Sequence, residues 1–279
     1  MGNRQDSECI KENCSGCAQA GECSQASEKE QVLHNQIGKV IAIMSGKGGV
    51  GKSFVTASIA AGLARKGYKV GILDSDITGP SIPKMFGMDG MASGDEHGIY
   101  PVVSRSGIKV VSVNLLLPDK EEPVIWRGPI IAGVVKQFYS EVYWGELDYL
   151  LIDMPPGTGD VPLTVFQTIK VDGAIVVTSP QQLVGMIVKK AHHMACKMDI
   201  PVMGIIENFS YLECPDCGRK IEIFGKSNID EVAAQLNVPV LGRVPVVSEY
   251  AGMADAGRFD DIECGYMEGA VKAVASLAV

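Results

Sequence analysis

Apolar positions along the chain gather in short runs, separated by longer stretches with helical spacing. The runs are KVIAIM (39–44), YKVGILD (68–74), IKVVSVNL (108–115), DYLLID (148–153), GAIVVTS (173–179), PVMGIIEN (201–208) and PVLGRV (239–244). They lack the strict alternation of a half-exposed strand and read instead as strands covered on both faces. Between them the spacing predicts helices over 52–66, 128–140, 160–169, 183–198 and 230–236, with a closing helix over 266–277. Strands and helices that alternate in this way predict an α/β fold, a mainly parallel sheet with helices on both faces. The first 36 residues carry no such pattern. They predict a polar, cysteine-rich appendage, ordered only if a metal staples it, ahead of one domain over 37–279.

Composition narrows the classes of function. A chain of 279 residues with 46% apolar and 21% charged positions can bury a substantial core. A formal charge of -8 argues against a nucleic-acid partner, which would need a basic stripe. No apolar run approaches the ~20 residues of a membrane span, and the polar N-terminus does not read as a signal peptide. The expectation is a cytoplasmic protein with no membrane partner. That compartment keeps thiols reduced, so eight cysteines need a reason other than disulfides. Cys9, Cys14, Cys17 and Cys23 crowd the N-terminus and Cys214 and Cys217 form a C-x-x-C, so both groups read as metal ligands. Cys196 and Cys264 stand alone and read as small buried hydrophobes. His192 and His193 are adjacent on a predicted helix and point in different directions, and Lys189 and Lys190 read as a solvated helix face.

The strongest chemical signal is SGKGGVGKS (45–53), which holds G-x-x-x-x-G-K-S as Gly46, Gly51, Lys52 and Ser53. It follows a predicted strand and opens a predicted helix, the context that gives this motif its meaning. Glycines there let backbone N–H groups turn toward phosphate oxygens, and the helix N-terminus adds its dipole. The site predicted is one for ATP with Mg²⁺, built from Gly46, Lys47, Gly48, Gly49, Val50, Gly51, Lys52, Ser53 and Phe54. Lys52 would reach the β- and γ-phosphates, and the Ser53 hydroxyl would ligate Mg²⁺. Asp74, Asp76 and Asp153 close predicted strands whose ends face such a site.

The second lysine, Lys47, makes the loop resemble the deviant Walker A class of P-loop ATPases. That class includes the Min and Par ATPases, the nitrogenase iron protein and the Mrp/ApbC iron–sulfur carriers. The resemblance implies a homodimer in which Lys47 reaches the nucleotide of the other subunit, stabilising charge in trans as an arginine finger does. A solvated loop lysine is the plainer reading. The same class implies that Asp76 positions the attacking water with Asp74 in support. It further implies that Asp153 holds Mg²⁺ through water, and that the Gly157 amide senses the γ-phosphate.

The segments DSDITGPSIPKMFG (74–87), WRGP (126–129), DYLLIDMPPGTGD (148–160), GIIENFSY (204–211) and the C-x-x-C resemble the Mrp/ApbC family specifically, also called the Mrp/NBP group. The likeness runs from about residue 39 to the C-terminus. It implies that Asn208 contacts the adenine base, and that Cys214 and Cys217 bind a [4Fe-4S] cluster bridging two subunits, for delivery to apo iron–sulfur proteins. Two thiolates are half of the four ligands that a cluster or a zinc ion takes, and a twofold axis would supply the rest. A zinc knuckle is the rival, because CPDCG has the turn chemistry of a zinc ribbon. The N-terminal cysteines resemble the ferredoxin-like extension of the eukaryotic cytosolic scaffold branch in their C-x2-C-x5-C spacing. Their first gap is shorter than in that branch, which leaves a cluster and zinc both open there. The whole predicts an ATP-hydrolysing carrier, slow when its partner is absent. Two other classes compete. A Min/Par-type organiser needs an amphipathic membrane helix or a basic DNA face, and residues 265–279 offer only one lysine. An ATP-coupled reductase like the nitrogenase iron protein places its cysteines on two separate loops.

Overall fold

In the computed structural model, residues 35–77, 79, 81–96, 98–116, 128–181 and 184–278 are described. Cys9, Cys14, Cys17, Cys23, His34, His97, Trp126, Arg127 and the start of the helix expected at 183 lie outside them. Twelve strands are present among the described residues. They are β1 (Gln36–Met44), β2 (Val70–Asp74), β3 (Gly94–Asp95), β4 (Gly98–Ile99), β5 (Val102–Val103) and β6 (Lys109–Val111), followed by β7 (Glu146–Asp153), β8 (Gly173–Thr178), β9 (Val202–Glu207), β10 (Leu212–Glu213), β11 (Lys220–Ile221) and β12 (Val240–Arg243). The helices are α1 (Lys52–Arg65), α2 (Ile82–Met85), α3 (Gly128–Ser140), α4 (Asp160–Thr168), α5 (Val184–Lys197), α6 (Ile229–Leu236), α7 (Ser248–Asp255) and α8 (Glu268–Ala275).

Eight strands form one sheet in the order β12-β9-β8-β1-β7-β2-β6-β5, and β3–β4 and β10–β11 are separate two-stranded ribbons. Pairing in the large sheet is parallel except for the edge strand β5, which runs antiparallel to β6. β1 shows why continuous apolar runs were needed. Val40, Ala42 and Met44 face one core and Ile41 and Ile43 the other, because successive strand residues point to opposite faces. The first core is closed by α3, α4, α5 and α6, through residues such as Phe138, Val165, Val188 and Val232. The second is closed by α1, α2 and α8, through Val55, Ile59, Leu63, Ile82 and Val271. Trp144, fully buried in the first core, donates its indole N–H to the Phe138 carbonyl at 3.0 Å.

The strand expected over 108–115 stops at Val111 and turns into a 3₁₀ helix over Val113–Leu115. β2 pairs with β6 only as far as Leu73 against Val111, so the ladder has no partner beyond that point. Val113 and Leu115 are still buried, so the apolar run reported burial correctly and backbone shape incorrectly. The helix α7 was not expected: only Tyr250, Met253 and Ala254 rest, partly buried, on the second core, a stripe too short to predict a helix. The closing helix begins as a 3₁₀ turn over Gly265–Met267 before α8.

Candidate functional site

The C-terminal ends of β1, β7 and β2 lie level, with Ile43 opposite Asp153 and Asp74 opposite Asp153 in the ladders. That register brings the loop after β1 against the carboxylates that end β7 and β2. Gly49 and Gly51 both have φ near 75°, a left-handed backbone open to glycine at little cost. Gly51 caps α1 in that conformation, and a Cβ there would run into the Asn208 amide nitrogen. The loop therefore needs glycine for both reasons.

Lys52, the first residue of α1, is buried and points to the carboxylates. Its Nζ lies 2.9 Å from Asp153 Oδ2 and 3.5 Å from Asp76 Oδ2. Burial alone would lower its pKa, but Asp153 and then Asp76 outweigh burial and hold it above the ordinary lysine range. Asp153 is fully buried and also accepts the Ser53 hydroxyl at 2.6 Å and the Thr56 hydroxyl at 2.7 Å. Asp74 sits beside it, 1% exposed, and accepts the Asp76 amide at 3.2 Å. Burial first, and the Asp153 charge second, push the Asp74 carboxyl up to about 8. Asp153 at 2.9 Å cannot use all three N–H groups of the Lys52 ammonium, and phosphate oxygens are suitable acceptors for the others. A cleft of about 340 Å³ opens over it, lined by Gly48, Gly51, Ser53, Phe54 and Asp76.

Three expected residues are engaged within the chain. Lys47 donates from Nζ to the Gln181 side-chain oxygen of its own subunit. The Gly157 amide donates to the Ser45 carbonyl at 2.8 Å, with φ of 96° at that glycine. The Asn208 side-chain amide donates to the Val50 carbonyl at 3.0 Å, bracing the P-loop from β9. Asn208 also borders a second cavity of about 170 Å³, together with Phe54, Phe209, Val244 and Tyr250. Phe54 lines both cavities and stacks on Tyr250 with ring centroids 5.9 Å apart.

Cys214 and Cys217 occupy the tip of the β10–β11 ribbon. The Gly218 amide donates to the Cys214 carbonyl and the Cys214 amide to the Arg219 carbonyl, both at 2.9 Å, and Gly218 has φ of 68°. This turn aims the Asp216 and Cys217 amides at the Cys214 sulfur. Those amides, in that order, and the Cys217 side chain hold the Cys214 thiol below the ordinary cysteine range. Leu212 and Ile221 on the ribbon, and Ile223 and Phe224 just after it, are each more than a third exposed. No cluster of three or more His, Cys, Asp or Glu side chains suited to a metal occurs among the described residues, so the pair is bidentate within them.

A model of the NUBPL iron-transfer P-loop NTPases matches residues 36–276. The chain belongs to this family. As an iron-transfer P-loop NTPase it is an NTP-hydrolysing enzyme by fold and by loop chemistry. It is 43% identical over 267 residues to the iron-sulfur cluster carrier protein of Clostridium perfringens, covering 89% of this chain and 94% of that one. The carrier protein of Methanococcus maripaludis is 45% identical over 254 residues, covering 88% of each. The nucleotide-binding protein of Archaeoglobus fulgidus, solved in complex with ADP and with Co found by PIXE, matches with a TM-score of 0.76 at 43% identity. That match covers 88% of this chain and 95% of the other.

Sequence reasoning missed Thr56, Gln181, Phe209 and Glu207. Thr56 is one turn beyond Lys52 on α1, a spacing that could have nominated it. The others depend on which loops meet, and no local signal carries that. Cys264 is buried as expected, and burial raises its thiol. Cys196 is not. It is exposed, on α5, with its sulfur 3.6 Å from His192 Nδ1 one turn earlier. The expected helix puts both on one outward stripe, which is what the adjacent His192–His193 reading overlooked. No helix among the described residues is long and apolar enough to cross a membrane.

Proposed function

We propose that this NTPase is an ATP-dependent carrier that assembles a [4Fe-4S] cluster between two copies of the chain and passes it to apo-proteins. The observation that carries the reading is the ribbon with two accessible thiols, one acidified by backbone amides, which follows the strand whose end braces the P-loop through Asn208. The iron-sulfur carriers from two organisms share 43% and 45% of their aligned residues with it. The ADP complex of the Archaeoglobus protein supports an adenine nucleotide as ligand.

Lys52 would bind the β- and γ-phosphates with the N–H groups that Asp153 leaves unused. Ser53 and Asp153, already 2.6 Å apart, would hold Mg²⁺, which supplies charge neutralisation on the phosphates. Asp76 stands at the edge of the cleft, 14% exposed, where it can orient a water, and Asp74 beside it keeps a proton near neutral pH. The cavity bordered by Asn208, Phe209 and Tyr250 takes the base. Lys47 would leave Gln181 to reach the partner's nucleotide. The exposed apolar residues Leu212, Ile221, Ile223 and Phe224, on and just after the ribbon, would give a second copy something to bury, which would bring four thiolates together. Two ligands per subunit leave the cluster open to replacement by incoming thiolates in pairs. Cys9, Cys14, Cys17 and Cys23 would form a separate cluster or zinc site.

The test is transfer. Cluster-loaded chain is mixed anaerobically with an apo-enzyme that needs [4Fe-4S], and recovered enzyme activity is followed. Wild type restores activity, whereas Cys214→Ser/Cys217→Ser does not. Zinc bound at the ribbon, with no iron and no transfer, would leave a metal-stapled NTPase and end the carrier reading.

A further inference from the structure

Glu207 ends β9 and is 1% exposed, yet it takes no part in the nucleotide chemistry. Each of its oxygens accepts one serine hydroxyl, Oε2 from Ser210 at 2.6 Å and Oε1 from Ser227. The first length is that of a hydroxyl bonded to a carboxylate. Those two serines bracket residues 211–226, the stretch that holds β10, both thiols and β11.

Beyond Tyr211 at its start, which is buried and has the Lys220 ammonium 4.3 Å over its ring, that stretch has little else to fix it. From residue 212 to 226 no side chain is buried, and only Cys214 is even half-buried. An element without a buried face cannot be located by packing, so its hydrogen bonds at the base must do it. These are the Glu207 pair, the Val246 amide on the Tyr211 carbonyl at 2.8 Å, and the Ser210 amide on the Val244 carbonyl at 2.8 Å.

The other side of Glu207 leads straight to the nucleotide cavities. Its neighbour Asn208 grips the P-loop through Val50 and the end of β8 through Thr178, at 3.0 and 2.8 Å. Phe209, between that grip and Ser210, has φ of 56°. A left-handed backbone is strained for so bulky a residue, and strain of this kind persists where the surroundings fix the residue from both sides. Its ring lines the 170 Å³ cavity and reaches toward Gly51.

We infer that Glu207 is a positioning residue which, on the carrier reading above, transmits occupancy of the nucleotide site to the Cys214–Cys217 ribbon. A ligand in the cavity beside Phe209 acts on a three-residue hinge, Asn208 to Ser210, whose far end is hydrogen-bonded to the base of the thiol ribbon. Coupling of this kind is reciprocal, so a metal at the thiols changes nucleotide affinity by the same factor.

Iodoacetamide labelling of the cluster-free full chain tests it, with Cys214 and Cys217 quantified by peptide mass spectrometry with and without Mg·ADP or Mg·ATP. In wild type, nucleotide changes the labelling rate by at least about fivefold, the low end of ordinary coupling between sites. Ser227→Ala keeps nucleotide affinity within about twofold but brings the labelling change below about twofold, and Ser227→Thr, which keeps the hydroxyl, restores it. Should Ser227→Ala fail to fold, Glu207→Gln keeps the shape with one acceptor oxygen and shows the same loss. Full nucleotide dependence in Ser227→Ala or Glu207→Gln, or none in wild type, overturns the inference. If labelling behaves as expected while no iron ever binds the ribbon, the carrier reading fails and the hinge stands.

Discussion

At the scale of the residue, the cleft gathers Asp74, Asp76 and Asp153 around one buried ammonium. Lys52 is the partner that makes a fully buried Asp153 tolerable, since the Ser53 and Thr56 hydroxyls bring no charge. Removing one member of such a pair strands the other, so Lys52→Ala is expected to cost about 3 kcal/mol in urea unfolding of nucleotide-free protein, besides abolishing hydrolysis. A loss under about 1 kcal/mol would show that the Lys52–Asp153 contact contributes little to stability. Asp74 behaves in the opposite sense. Its carboxyl rises from 3.8 to about 8, so between those values the native state keeps a proton that the unfolded chain has released. Stability from this group is therefore full below the unfolded value and lost as pH rises toward about 8. Asp74→Asn removes that slope. The melting temperature of the variant relative to wild type should climb by a few degrees from pH 5 to pH 8, measured without nucleotide, and a constant difference would contradict the assignment.

At the scale of the element, the two working parts depend on glycine for different reasons. Gly51 is needed for its left-handed backbone and for the space that Asn208 fills, whereas Gly218 is needed for backbone alone. A Cβ at Gly218 would meet only Glu213 Oε1 at 3.8 Å, an ordinary contact. Gly218→Ala should thus cost about 1 kcal/mol in the ribbon, which lowers metal affinity at the thiols about fivefold. Nucleotide affinity, read by calorimetry, should not change; a parallel fall would mean that the substitution disturbs more than the turn. The same contrast explains what was legible in the sequence. β1, β7 and α1 bury side chains with fixed periods, and their positions could be read from apolar spacing. The β10–β11 ribbon has no buried residue and α7 tucks in only Tyr250, Met253 and Ala254 in part, so spacing carried too little to predict either, although the C-x-x-C announced the ribbon's chemistry. The P-loop was legible because its motif encodes backbone geometry directly. Glu207 was not, since its meaning lies in serines 3 and 20 residues away that only the fold brings to it.

At the scale of the whole molecule, the parallel sheet places the P-loop, three aspartates and the start of the thiol ribbon along one edge, at the C-terminal ends of its strands. Two cores of opposite facing hold that edge rigid from below. The edge presents the P-loop cleft, the cavity bordered by Asn208 and Phe209, and, past Tyr211, a pair of thiols. The pair is completed, on this account, only by a second copy. The measurement that tests this most directly is anaerobic reconstitution of the full chain with Cys9, Cys14, Cys17 and Cys23 replaced by serine, followed by iron and sulfide analysis and light-scattering mass. The chain with its ribbon cysteines intact should hold about four iron atoms per two chains in a particle of dimer mass, and both should be lost in Cys214→Ser/Cys217→Ser. A cluster bound by a monomer, or a dimer whose iron survives loss of both ribbon cysteines, would contradict it.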